Sequence, residues 1–148
     1  MTREPIEDEV LTDKPLPEPD HDDADWWDAL HNKQLTVPWC RTCDRSWLRV
    51  TPTCPRCGLA DWEFREAANI GSLYSWVTIH RALDPSFAGE EPYTIGLIEL
   101  QGGARLYLLI AQVERELVAG EEVSIEFTTD LLPVGRLWPL EIQPGAVL

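Results

Sequence analysis

The sequence predicts a mainly β protein: an N-terminal helix, a rubredoxin-like zinc ribbon, then a five-stranded OB-fold barrel. Two observations predict it. Four cysteines fall in two CxxC pairs, Cys40-Arg41-Thr42-Cys43 and Cys54-Pro55-Arg56-Cys57, with ten residues between them. Residues 71–142 then hold five alternating apolar runs separated by turn residues, a pattern that suits a small Greek-key barrel. The units expected from these features are an acidic, Pro-rich tail over 1–21, a helix over 22–36, the ribbon over 37–68 and the barrel over 69–148.

The tail carries Pro5, Pro15, Pro17 and Pro19 among acidic residues, too little apolar surface to offset its ordering entropy. Over 22–35, Asp22 or Asp23 is placed to cap a helix whose first turn is acidic. Trp26, Trp27 and Leu30 share one stripe of that helix. Two such rings need a surface to cover, either the chain's own body or another subunit.

A CxxC turn points two sulfurs at one point, and two turns supply four thiolates, the donor set of tetrahedral Zn²⁺. Cys40, Cys43, Cys54 and Cys57 are therefore the expected metal ligands, with Gly58, and Asp44 in the equivalent place, suited to a left-handed turn after each pair. A structural zinc ion is the expected cofactor. Iron fits the same donors, and a disulfide pairing is disfavoured because no secretory signal is present. Four cysteine ligands leave no open position, so the centre reads as a staple for a ribbon too small to own a core.

In the barrel region, Ser72 to Arg81 alternates Leu73, Ser75, Val77 and Ile79 with Tyr74, Trp76, Thr78 and His80. Thr94–Gln101 and Ala104–Gln112 flank the turn Gln101-Gly102-Gly103 as a hairpin. Val113–Ala119 reads as one helical turn ending at Gly120. Glu122–Asp130 presents Val123, Ile125 and Phe127, and Arg136–Ile142 closes the set with Leu137, Leu140 and Ile142.

Charge narrows the function. The 148 residues hold 12 Lys and Arg against 26 Asp and Glu, a net of −14. Residues 1–30 alone hold 11 acids against 2 bases. Such a chain is ill suited to phosphate backbones or anionic membranes. Tyr74, Trp76, Tyr107 and Trp138 offer stacking surfaces for a single-stranded nucleic acid, but no basic groove accompanies them. The ribbon is locally basic, with Arg41, Arg45, Arg49, Arg56 and Arg65 against Asp44, Asp61 and Glu63. Leu106–Val113, an uncharged and strongly apolar run, is too short to cross a bilayer. The opening Met1–Pro5 holds no apolar targeting segment, so the cytoplasm is the expected compartment. No GxSxG, P-loop or GxGxxG is present. His80 with Asp84 is the one candidate base and orienter, against the plainer reading of a solvent-facing strand end. Glu90-Glu91 reads as a solvated charge pair. No catalytic residues are assigned.

The order of a Trp-bearing helix, a CxxC…CPxCG ribbon, Gly71-Ser72-Leu73-Tyr74-Ser75-Trp76, His80-Arg81, Phe87 and Pro92-Tyr93 resembles the zinc-ribbon/OB-fold proteins of acyl-CoA metabolism, long catalogued as a domain of unknown function. The resemblance covers roughly residues 22–142. It implies a non-catalytic partner of a thiolase-fold enzyme that helps form the CoA-thioester entrance. Family members accompany lipid-transfer-type thiolases acting as retro-aldolases in steroid side-chain degradation. Others bridge a thiolase and a hydroxymethylglutaryl-CoA synthase, or accompany enoyl-CoA hydratases. The expected assembly is a hetero-oligomer that meets acyl-CoA through its partner. The cysteines carry over as zinc ligands, and His80, Arg81, Phe87 and Tyr93 as a partner- or ligand-facing loop. Trp26, Trp27 and Trp138 are further candidates for that face. The run Leu131–Trp138 is more apolar than a barrel turn needs and reads either as an interface patch or as core.

Overall fold

A computed structural model describes residues 18–111, 113–127 and 133–137. Helix α1 (Ala24–His31) is shorter than the expected 22–36. Its start is organised one step earlier than expected. The Asp20 carboxylate accepts the N–H groups of Asp22 and Asp23 at 2.8 and 3.1 Å, while Asp23 makes no side-chain cap. The helix stops because Lys33 turns left-handed (φ +58°). The N–H of Lys33 then bonds Leu30 O and that of Gln34 bonds Ala29 O, the paired bonds of a Schellman ending.

The ribbon is a three-stranded antiparallel sheet in the order β2-β1-β3, made of β1 (Thr36–Cys40), β2 (Arg45–Ser46) and β3 (Trp62–Glu66). The barrel comprises β4 (Ile70–Ile79), β5 (Tyr93–Glu99), β6 (Arg105–Ala111), β7 (Glu122–Phe127) and β8 (Pro133–Leu137), closed in the order β4-β5-β6-β8-β7. All its pairings are antiparallel except β6 with β8. The predicted fold class is therefore the observed one. Among the described residues no helix is long and apolar enough to cross a membrane.

Three local expectations are corrected. Val113–Ala119 forms no helical turn; Leu117 is buried there, and Arg115 is held by Glu121. Among the described residues the last strand is Pro133–Leu137, which begins three residues before the expected Arg136. It lies between β6 and β7, so the part of the apolar run at Pro133–Leu137 is a strand flanked on both sides rather than a turn. Leu140 and Ile142 lie outside the described residues. Third, β4 carries a bulge: Leu73 pairs with Ile98, but Ser75 pairs with Leu97. The extra residue reverses the alternation beyond it. Trp76 and Thr78 thus share the inner face with Gly96 and Thr94, the two threonine hydroxyls lying 3.1 Å apart. Val77 faces outward and is 51 % exposed.

Helix, ribbon and barrel share one core. Leu30, Leu35, Val37, Leu73, Ile98 and Val123 belong to a single buried cluster. A polar tie runs alongside it. Ser46 Oγ donates to Gln101 O at 2.7 Å and accepts from Ala104 N at 3.0 Å, joining β2 to the β5–β6 turn.

Candidate functional site

The four cysteine sulfurs all lie within 4.8 Å of one another. A tetrahedral Zn–S₄ centre has sulfur–sulfur edges of about 3.8 Å at the usual bond length, and Cys40 and Cys57 are 3.7 Å apart. The two turns are built alike. Asp44 N bonds Cys40 O at 2.9 Å and Gly58 N bonds Cys54 O at 2.8 Å, with Asp44 and Gly58 at φ +52° and +74°. The left-handed residue after each pair, expected from sequence, is present in both. Cys43 N also donates to Cys40 Sγ at 3.3 Å.

The environment acts on the thiols in opposite directions. Backbone N–H groups of Cys57 and Arg56 aimed at Cys54 lower its thiol to about 7, and burial raises Cys43 to about 12. Four sulfur donors with amides directed at them suit a soft or borderline cation, which deprotonates its ligands on binding. The donor set fits such an ion and leaves no place for a substrate. Trp47 and Trp62 wall the cluster, in edge-to-face contact at 5.7 Å. Their indole N–H groups are anchored on Thr51 Oγ1 and Pro52 O.

The basic ribbon is partly neutralised. Arg41 pairs with Asp61 and Glu63, and Arg65 pairs with Glu63 and stacks on Trp39. Arg45, Arg49 and Arg56 are exposed and make no ion pair among the described residues. A cleft of about 530 Å³ opens between α1, the Leu48–Val50 segment and β6. Trp27, Leu48, Arg49, Arg105, Leu106 and Tyr107 line it. Trp26 is buried and donates to Thr36 O at 2.9 Å. Trp27 is half-buried at the cleft wall, its indole nitrogen without a partner among the described residues. The two rings therefore do different work.

His80 and Arg81 are exposed at the end of the β4–β5 arm. Asp84 does not orient His80. Its carboxylate accepts Ser86 N and Ser86 Oγ at 2.8 and 2.6 Å and caps the 3-10 turn Pro85–Phe87. The structure thus assembles no base there. Glu91 is no freely solvated charge either, because it accepts Ala82 N and Gly89 N at 3.0 and 2.7 Å and ties the loop. Phe87 and Tyr93 stack on each other at 5.7 Å. Trp138 lies outside the described residues.

The sequence reading missed the outer face of β4-β5-β6. There Val77, Ile95 and Leu109 form one row, and Ser75, Leu97 and Tyr107 the next. Tyr107 is 73 % exposed and Leu109 is 40 % exposed. On an OB barrel this is the ligand-bearing face. Here it is mostly aliphatic, with Tyr107 as its one aromatic ring. The only signal for it is the bulge, which the uniform β-propensity of Tyr74–Ile79 conceals.

Comparison with known proteins agrees with this architecture. The sequence profile of the ChsH2 C-terminal OB-fold domain matches residues 64–128. A chain of the Ltp2–ChsH2(DUF35) aldolase is 31 % identical, with a TM-score of 0.69 over 82 % of this chain and 98 % of that one. The chain belongs to the DUF35/ChsH2 OB-fold family. A DUF35 protein of unknown function from Sulfolobus solfataricus shares the fold at 17 % identity, with a TM-score of 0.57 over 77 % of this chain and 83 % of that one. A probable enoyl-CoA hydratase alpha subunit from Thermomonospora curvata is 37 % identical over 93 residues. That match covers 63 % of this chain, which spans 28 % of the relative's length.

Proposed function

We propose that this DUF35/ChsH2-family chain is a non-catalytic subunit of a thiolase-fold acyl-CoA enzyme, a lipid-transfer-type thiolase or retro-aldolase with side-chain CoA thioesters, steroid ones included, as its substrate class. The single observation that carries this reading is the likeness to nearly the whole ChsH2 chain of the Ltp2–ChsH2(DUF35) aldolase. The site chemistry supports it. The cysteines form a closed donor set, His80 lacks an orienter, and the exposed OB face is mostly aliphatic. Cys40, Cys43, Cys54 and Cys57 hold a structural zinc ion, which supplies folding energy to the ribbon and no reaction chemistry. The outer barrel face packs on the enzyme subunit. The cleft beside Trp27, with Arg49 at its rim, borders the CoA-thioester entrance, where a cation suits the anionic end of CoA. The loop carrying His80, Arg81, Phe87 and Tyr93 lies at the same junction, and the complex is cytoplasmic.

Nucleic-acid binding is the weaker reading, since no basic groove accompanies the exposed rings of Tyr74, Trp76 and Tyr107 and the chain is strongly acidic. The hydratase relative supports a second reading, a partner of an enoyl-CoA hydratase. The test is co-expression with a thiolase-fold subunit and, separately, with a hydratase subunit, followed by size-exclusion and acyl-CoA assays. Co-elution and activity with the thiolase-fold subunit alone are expected. Tyr107→Ala is expected to leave stability within about 0.5 kcal/mol and weaken the complex about tenfold or more. Full activity of the enzyme subunit without this chain refutes the proposal.

A further inference from the structure

The β4 strand is ten residues long, yet its two edges are used unequally. On one side β5 pairs with it from Ser72 to Ile79. On the other, β7 pairs only with Ile70–Ser72, and Leu73 adds backbone bonds to Glu121 and Gly120. Beyond Leu73 no strand among the described residues lies on that side. The alternation of the ladder fixes which groups are left over. Leu100 exchanges backbone bonds with the β5–β6 turn, so alternate residues Ile95 and Leu97 point at β4. They meet Val77 and Ser75. The N–H and C=O groups of Trp76 and Thr78 therefore point outward.

Edges of this kind are normally blunted by Lys, Pro or charge. Tyr74-Ser75-Trp76-Val77-Thr78-Ile79 has none of these. The bulge at Tyr74 sits where β7 leaves off, and the residues beyond it pair regularly with β5. Tyr74, Trp76 and Val77 are all exposed, so both faces are open next to the free edge. We propose that the outer edge of β4 from Tyr74 to Ile79 is a strand-addition site for an extended apolar segment of the enzyme subunit. This rests on the accessory-subunit reading above.

A second copy of the chain fits poorly, because edge-to-edge pairing would bring together two chains that are each net acidic, −14 over the whole sequence. A less acidic polypeptide fits, and the exposed Arg81 at the end of the edge suits a carboxylate beside the incoming strand. Val77 joins this edge to the mostly aliphatic outer face, so the two surfaces are continuous.

Hydrogen–deuterium exchange resolved at single amides tests the proposal on the full chain, alone and in its purified complex with the thiolase-fold subunit. The amides of Trp76 and Thr78 should exchange rapidly in the free chain and slow by about 100-fold or more in the complex. Thr78→Pro, which removes one outward donor, should weaken assembly about tenfold or more with the barrel still folded. A complex that forms with both amides still exchanging rapidly overturns the strand-addition site and leaves the accessory reading standing. Protection of both amides in the isolated chain also overturns it, since the chain's own residues or a second copy would then cover the edge; size-exclusion separates these. Absence of any complex removes both readings.

Discussion

Replacing Gly102 by Ala tests how the ribbon is fastened to the barrel. Gly102 sits at φ +85° in the β5–β6 turn, and a Cβ there would lie 2.4 Å from the Trp39 ring and 2.6 Å from Ser46 Oγ. Two costs add. A left-handed conformation costs a non-glycine residue ~1–2 kcal/mol, and forcing a methyl group into packed side chains costs ~1–3 kcal/mol. Gly102→Ala should therefore lose ~2–5 kcal/mol. Gly103 provides the control. Its φ is +101°, but its Cβ would meet nothing closer than Ser46 O at 3.9 Å. Gly103→Ala should lose ~1–2 kcal/mol, the conformational share alone. Urea unfolding followed by tryptophan fluorescence measures both, with equal m-values required for the comparison. At this chain length each kcal/mol also lowers Tm by roughly 3 °C. Equal losses in the two variants would show that Trp39 and Ser46 do not press on the turn, and the seam described above would be wrong.

The bulge in β4 predicts a contrast in the same assay. Leu73→Ala should cost ~2–5 kcal/mol because Leu73 is fully enclosed, whereas Val77→Ala should cost under about 1 kcal/mol because Val77 faces outward. Equal costs would restore simple alternation. Glu121 predicts a pH dependence: Arg115 first, then the Val118 N–H, holds its carboxyl below the usual 4.5. Its folded-state value is depressed, so the stabilisation is present above the unfolded value and is lost as pH falls through the folded one. Glu121→Gln should cost about 1 kcal/mol at neutral pH and nothing measurable in acid below both values. A cost that does not change with pH would assign the effect to packing.

Much of this architecture was legible because its signals are local. The cysteine spacing, with Asp44 and Gly58 each following a pair, encodes the centre within 18 residues, Cys40 to Cys57. Gln101-Gly102-Gly103 marks the β5–β6 turn for the same reason. What escaped depends on non-local pairing. The parallel match of β8 to β6 joins Val134 to Leu109, and nothing in either segment announces the other. In Tyr74–Ile79 both alternate sets are mostly apolar or β-branched, Ser75 apart, so neither register is clearly favoured by the sequence. The Leu73/Ile98 pairing and the bulge that follows it set the register instead. The role of Glu91 escaped because its partners are backbone amides, Ala82 and Gly89, which a side-chain inventory does not count.

Metal removal separates the two ends of the ribbon. The main core runs from Trp26 through Leu35 and Val37 to the barrel. The cysteines belong to a second, much smaller cluster of Cys40, Cys54 and Trp47, and Trp62 packs on both. Three buried residues are too small a core to hold the segment 41–61 by themselves, so a metal bound by the four cysteines would supply much of its stability. The ribbon's near end has independent support in the Ser46 tie and the β1–β3 pairing. Chelation, or Cys57→Ser, should therefore release the metal and abolish the near-ultraviolet dichroism of Trp47 and Trp62. Amides of β5 and β6 should stay protected. Metal analysis should give about one zinc per chain before treatment and none after. If the barrel amides are lost together with the tryptophan signal, the two clusters fold as one unit. The metal would then support the whole chain rather than the far end of the ribbon.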